Sequence, residues 1–353
     1  MHYRLRTVAT VLAVGVLVPL LAFGQSQSQS NADADPGWEL PRLPSGQPDL
    51  RGYWTTQTFT PMERPEYLGD QAFYSEEEWA QLQAQLTVDG ADPLARHVIT
   101  IADPEERQRV LDQTHRDETY VHYDNAVWLA TRVPKGLSTR RTSLVTDPPD
   151  GRIPPRNAQA RARAETRRAA RGDRGAFDAY ELRSLSERCI YYGYNGPPLQ
   201  PPSYNDIHQI FQTPDHVVIF TEQNNNPPRI IPLDGRPPIS EKIRQYPGDS
   251  RGHWEGDTLV VESSHFNDRS AWQGSSRDLK VVERFTRVSD DLIHVEFTVE
   301  DPATWDRPWS AEIPMMATEG PMYEYACHEG NHDIRHILEV YRNIERQEAE
   351  GTR

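Results

Sequence analysis

The run Leu279-Lys280-Val281-Val282-Glu283-Arg284-Phe285-Thr286-Arg287-Val288-Ser289-Asp290-Asp291-Leu292-Ile293-His294-Val295-Glu296-Phe297-Thr298-Val299-Glu300-Asp301 decides the fold class. In its second half Ile293, Val295, Phe297 and Val299 alternate with His294, Glu296, Thr298 and Glu300. A period of two sends one set to a buried face and the other toward solvent, as in a half-buried antiparallel strand. Ser289-Asp290-Asp291 supplies a turn, so Leu279–Val288 and Leu292–Asp301 read as a hairpin. Further short runs rich in Val, Ile, Phe and Tyr are His216–Glu222, Arg229–Leu233, Asp257–Phe266, Trp309–Met316 and Met322–Cys327. Seven strands separated by turn formers such as Gly248-Asp249-Ser250 predict a mainly β fold. The expectation is an antiparallel barrel or sandwich, lipocalin-like in one form, with peripheral helices and long Pro-rich loops, α+β overall.

Toward the C-terminus, Ile334, Ile337, Leu338, Tyr341 and Ile344 share one face of a helix that should pack against the sheet. Upstream, residues 51–180 read as a mixed helical and loop region, and 181–353 as the β-rich region, together one compact domain. Ser75-Glu76-Glu77-Glu78 before Trp79, Leu82 and Leu86 is a capping box opening a helix. Residues 104–118 form a second charged helix. The Ala/Arg-rich stretch 156–172 predicts a helix that buries little and lies on the surface. The chain's 29 prolines, about 8% against a usual 5%, collect between strands and in the leader, where they stiffen loops.

At the N-terminus, Arg4 and Arg6 precede the uncharged run Val8–Phe23, and Ala22-Phe23-Gly24 offers small residues for cleavage. Residues 1–24 therefore read as a secretory signal peptide. The run is shorter than the ~20 residues a bilayer span needs, and Pro19 interrupts it. Residues 25–50 follow as a polar, flexible leader. Cleavage removes two arginines and no acids, so the net charge goes from 38 − 53 = −15 to 36 − 53 = −17. That balance argues against a nucleic-acid partner held by a general basic surface. The expected location is periplasmic or secreted, with no membrane span after cleavage and an open oligomeric state. In that oxidising setting Cys189 and Cys327 predict one disulfide. Closing so long a loop contributes roughly 4–5 kcal/mol in the chain-entropy model.

Two acids break the strand pattern. Glu283 is in phase with Leu279, Val281 and Phe285, and Glu222 with Val218 and Phe220. A carboxylate on an apolar face must be paired or have a raised pKa, which makes it a candidate for acid–base work. The structural alternative is a buried ion pair with an arginine for Glu283 and a strand-end position for Glu222. His328-Glu329-Gly330-Asn331-His332 matches the H-E-x-x-H zinc peptidase pattern. A strand-like lead-in, Gly330 inside the required helix and the short remainder of chain weigh against that reading. Tyr204–His208 and Gly248–Trp254 concentrate polar and aromatic groups in what read as loops, where catalytic groups collect. No Gly-X-Ser-X-Gly elbow, P-loop or dinucleotide fingerprint is present.

Several phrases carry a resemblance. They are Pro48–Trp54, Arg141-Thr142-Ser143-Leu144 with Asp147–Pro154, Ile230–Pro237, Gly248–Val261 and Tyr323–Asn331. Over about residues 48 to 340 the chain resembles a large uncharacterised family of secreted bacterial proteins. In that family the residue after Cys-His-Glu-Gly-Asn is usually not His, so the resemblance implies that His332 stands apart from the motif. It implies no particular reaction.

The expected function is a secreted enzyme of lyase, isomerase or hydrolase type, independent of organic cofactor, acting on a small organic or sugar-like substrate at the mouth of a barrel. Its candidate lining is His208, Glu222, Asp249, Arg251, His253, Glu283, His328 and Glu329, with Arg251 orienting an anionic group. No metal is called for; His328 and His332 are the only candidates for one. The alternatives are a non-catalytic lipocalin-like binder of an apolar or aromatic ligand, and a zinc metallopeptidase.

Overall fold

In the computed structural model, residues 37–86, 96–114, 139–193, 196–201, 207–223, 227–269 and 272–351 are described. The expected signal peptide lies outside them. The alternating run that opened the sequence reading forms β8 (Lys280–Arg287) and β9 (Leu292–Glu300), paired with Val281 opposite Val299 and Glu283 opposite Phe297. Ile293, Val295, Phe297 and Val299 are all buried, and each large apolar side chain so removed from water contributes about 1.5–3 kcal/mol.

Around this hairpin stand β1 (Gly52–Thr55), β2 (Val145–Asp147), β3 (Ile207–Gln212), β4 (His216–Thr221), β5 (Arg229–Pro232), β6 (Asp249–Glu255), β7 (Thr258–Ser264) and β10 (Trp309–Ala317). The order is β5-β4-β3-β1-β10-β9-β8-β7-β6, every pairing is antiparallel, and β2 adds to β10 beside β1. This sheet is a nearly closed barrel. Its two end strands, β5 and β6, meet through side chains: Arg229 Nε donates to Ser250 Oγ at 3.0 Å, and Gly252 lies against Ile231 and Leu233. Trp54, Phe285, Phe297 and Trp309 fill the core, and Trp272 stacks on Trp309 at 5.6 Å.

Four sequence expectations are corrected here. Gly248–Trp254 is a strand, β6, and not a loop. Its Asp, Ser and Gly residues disfavour a strand, but the ladder with Leu259, Val260 and Val261 overrides them. In β4 the core face is Val217, Ile219 and Thr221, so Val218 and Phe220 are on the other face and Glu222 is buried just past the strand's end. Met322–Cys327 is not a strand; side-chain and disulfide anchors hold it instead of a ladder. The described part of the leader is docked: Leu43 and Leu50 are buried, and Arg42 pairs with Asp257 at 2.7 Å.

The helices lie outside the barrel. In α1 (Glu76–Leu86) the capping box is formed, with Ser75 Oγ accepting from Glu78 N at 3.1 Å and Glu78 Oε2 from Ser75 N at 2.8 Å. Its Leu82 and Leu86 join Phe59, Tyr74, Val98, Ile99 and Leu111 in a second core with α2 (Pro104–Thr114). Residues 115–118 of the expected second helix lie outside the described residues. The Ala/Arg helix α3 (Ala158–Arg171) is capped by Asn157 and buries only Ala160. The C-terminal helix α4 (Asp333–Ala349) does not pack its apolar face into the sheet: none of its residues is buried, and Tyr341 stacks on Phe177 at 4.1 Å.

The seam between β5 and β6 is closely packed. A Cβ at Gly252 would stand 2.7 Å from Ile231 Cγ2 and 2.8 Å from Leu233 Cδ2. Gly252→Ala is therefore expected to cost about 1–3 kcal/mol through overpacking. Thermal unfolding of this variant, of Leu233→Ala and of the double variant should give a double-variant loss smaller than the sum.

Candidate functional site

Strand pairing brings Glu283 into the barrel, and the residue that meets it comes from the far end of the sheet. Arg229 Nη2 forms a short ion pair with Glu283 Oε2, joining β5 to β8. The same guanidinium donates from Nη2 to Ser263 Oγ and from Nε to Ser250 Oγ, each at 3.0 Å. Ser250 and Ser263, opposite one another in the ladder, share a hydrogen bond of 2.8 Å. Glu283 Oε1 accepts the backbone N–H of Leu199 at 3.0 Å. The carboxylate is fully buried and the arginine side chain 8% exposed. The structure thus supplies the arginine that the sequence left unnamed.

One donor in this network is unused. Nη1 of Arg229 is buried and has no hydrogen-bond partner among the described residues. A charged donor left so costs stability unless an acceptor reaches it. Tyr191 lies within electrostatic reach of Arg229; burial raises its pKa, against the opposing pull of the arginine, so its hydroxyl stays protonated. That hydroxyl donates to Gly196 O at 3.3 Å, and its ring stacks on Tyr246 at 5.8 Å.

A second polar group surrounds His208. The imidazole is fully buried, with Thr56 Oγ1 at 3.2 Å from Nε2 and Thr221 Oγ1 at 2.9 Å from Nδ1. Burial lowers its pKa to about 4, so it is neutral near pH 7. Thr56 Oγ1 donates to Gln200 O at 3.1 Å. Leu199 and Gln200 therefore stitch the two polar groups together, one through its N–H and the other through its C=O. Glu222 and Gln223, both buried, follow Thr221, and Glu222 Oε1 accepts Tyr323 N at 2.6 Å. Tyr204, Asn205 and Asp206 lie outside the described residues. His208 is on β3, not in the loop the sequence suggested.

The other candidates stand elsewhere. Arg251 Nη1 binds Asp249 Oδ1 at 2.8 Å and Ser250 O at 2.7 Å, while Asp249 Oδ2 accepts Ile239 N at 3.1 Å. This pair fixes residues 237–239 and leaves Arg251 engaged within the chain. His253 is half exposed, with Nε2 3.1 Å from Glu255 Oε1. The Arg284 guanidinium, then His253, hold the Glu255 carboxyl below its usual range.

His328 and Glu329 are exposed in the turn that precedes α4. The H-E-x-x-H run is not helical: Gly330 has φ +67° and the helix starts at Asp333. His332 instead faces His336 one turn on, ring centroids 6.1 Å apart. Among the described residues no group of three or more His, Cys, Asp or Glu is placed to hold a metal ion. Cys189 and Cys327 form the expected disulfide, and Asn331 Nδ2 donates to Cys189 Sγ at 2.9 Å.

No family model, curated protein or solved structure matches the chain.

Of the sequence candidates the structure buries Glu283, Glu222 and His208 in polar contacts, while Arg229, Tyr191, Ser250 and Ser263, which it places beside them, were not among those candidates. Arg229 was legible only as the first residue of a strand in phase with buried Ile231. Ser250 was hidden by the turn reading of Gly248-Asp249-Ser250.

Two expectations follow. Glu283→Ala strands a buried guanidinium and should cost about 3–5 kcal/mol in denaturant unfolding. Glu283→Leu combined with Arg229→Leu should lose much less than the single changes added together, because no buried charge then remains. His208, depressed in the folded state, takes up its proton more readily when unfolded. Stability should therefore decline as pH falls from about 6.5, the ordinary imidazole value, toward about 4, by on the order of 3 kcal/mol. His208→Gln should flatten that slope in denaturation curves taken between pH 4 and 7.5.

Proposed function

We propose that the protein is a secreted or periplasmic enzyme of lyase, isomerase or hydrolase type. It acts without an organic cofactor on a small substrate carrying a carboxylate or carbonyl oxygen. The observation that carries this reading is Arg229: a guanidinium buried inside a barrel, held by Glu283, Ser250 and Ser263, with Nη1 directed to no acceptor among the described residues. A substrate oxygen is the acceptor that completes it, taken by the Nη1 N–H groups, since Nε and Nη2 are already engaged within the chain. Glu283 and the serines then act as positioning groups that keep the guanidinium from turning.

The acid–base role falls to Glu222. Ile219 is opposite Arg229 in the β4–β5 pairing, and Glu222 follows three residues later, about 10 Å along the chain. Its carboxylate is buried and oriented by the Tyr323 N–H. In this proposal the substrate is anchored by its oxygen at Arg229 and worked on at a neighbouring carbon by Glu222. The lipocalin-like alternative draws less support, because Trp54, Phe285, Phe297 and Trp309 occupy the interior an apolar ligand would need.

The test is a screen of hydroxy acids, uronates and aromatic carboxylates for turnover and for thermal stabilisation. Wild type should convert one class. Glu222→Gln should lose about 10²–10⁴-fold in kcat at an unchanged melting temperature, and Arg229→Lys should act chiefly on KM. A wild-type protein that neither turns over nor is stabilised by any carboxylate would sink the proposal. So would a Glu222→Gln variant of undiminished activity.

A further inference from the structure

The strongest feature outside the barrel is the distribution of arginines around α3. Between Arg156 and Arg174 the chain carries Arg156, Arg161, Arg163, Arg167, Arg168, Arg171 and Arg174 against Glu165 and Asp173, a local charge of 7 − 2 = +5 in a chain of −15. Elsewhere arginines find carboxylates: Arg42 with Asp257, Arg229 with Glu283, Arg284 with Glu255, Arg307 with Asp147, Arg342 with Glu345. Around α3 none does, among the described residues, although the chain has 53 Asp+Glu to offer.

Structural duty accounts for few of these side chains. Arg163 is the one turned inward, donating through Nη2 to Thr304 Oγ1 at 2.7 Å and through Nη1 to Ala303 O. Arg171 and Arg174 exchange hydrogen bonds with backbone carbonyls at the helix end, where cations also complement the helix dipole. Arg161 reaches only the Arg156 carbonyl. The guanidinium faces of Arg161, Arg167, Arg168, Arg171 and Arg174 are left to solvent. Arg167 and Arg171 are four apart on one face of α3 with Arg168 beside them, and Arg174, just past the Gly172 cap, folds back onto the Arg171 carbonyl at the same helix end, so the four form one exposed basic stripe.

We infer that this stripe is a docking surface for a linear anionic polysaccharide. The charge is complementary to a chain of sulfate or carboxylate groups, and arginine's planar fork binds such oxyanions bidentately. The helix has no large apolar residue to sink into a bilayer, since its non-arginine positions are Ala, Gln, Glu and Thr. It also has no aromatic on which nucleobases could stack. The surface is separate from the Arg229 network and does not depend on the enzymatic reading.

The test uses the full-length mature chain on immobilised heparin, with polygalacturonate as a competing carboxylated polymer. Phosphatidylglycerol vesicles and a double-stranded oligonucleotide form the comparison arms. Wild type should be retained at low salt and released as salt rises. It should be displaced by polygalacturonate at a lower charge concentration than by vesicles or oligonucleotide. Replacing Arg167, Arg168, Arg171 and Arg174 by Gln, which keeps helix propensity, should abolish retention with an unchanged melting temperature. Flow-through of the wild type, full retention of the quadruple variant, or tighter binding to vesicles or oligonucleotide would each overturn the inference. A quadruple variant replacing Arg51, Arg236, Arg277 and Arg307, arginines already paired with carboxylates, controls for net charge and should still bind; its loss of binding would also overturn it.

Discussion

The barrel depends on a buried charge pair at the place where its backbone ladder stops. β5 and β6 are the ends of the sheet, and no strand pairing joins them. Arg229 crosses from β5 to reach Ser250 on β6, Ser263 on β7 and Glu283 on β8. A hydrophobic seam would close the gap with less desolvation, as replacement of buried ion pairs by apolar groups often shows. An ion pair does something an apolar seam cannot: it fixes a guanidinium at a set orientation inside a low-dielectric interior. Structure and proposed chemistry therefore rest on the same residues. The cost of burying the charge is offset by the three hydrogen bonds that Arg229 donates and the one that Glu283 accepts from Leu199, and in the proposed function a ligand brings the fourth acceptor of the guanidinium.

How far the sequence revealed this fold depended on whether each strand has its own apolar alternation. β8, β9 and β10 do, and their extents were readable to within about a residue. β6 does not: Asp249, Ser250, Arg251, Gly252 and His253 carry turn-forming chemistry, and only the neighbouring β7 makes them a strand. β1, β2 and β3 are short or mixed, and they exist because partners distant in sequence pair with them. Met322–Cys327 shows the reverse case, apolar enough for a strand but without an edge to join.

For the site, the same division holds. Glu283 stood out because a carboxylate in phase with Val281 and Phe285 demands an explanation from a single strand. Glu222 was found by a faulty phase, since β4 turns its odd-numbered residues inward, yet the residue is buried because the chain continues under Tyr323. Arg229, Tyr191 and the Leu199 N–H could not be read from local pattern. Each acts across more than fifty residues of chain or through a backbone atom, and those are relations that only the closed barrel creates.

The placement of β1 has a consequence for how the molecule is made. Trp54 pairs with His208 on one side and Ala317 on the other, 154 and 263 residues later in the chain. Both partners lie inside the covalent ring closed by Cys189 and Cys327, while β1 lies outside it. The strand that joins the two halves of the sheet is thus the first of its strands to be synthesised, long before either partner. Its Tyr53 and Trp54 have no ladder partner until β3 has been made, and the β1–β10 pairing that joins the two halves of the sheet can form only once the chain has reached Ala317.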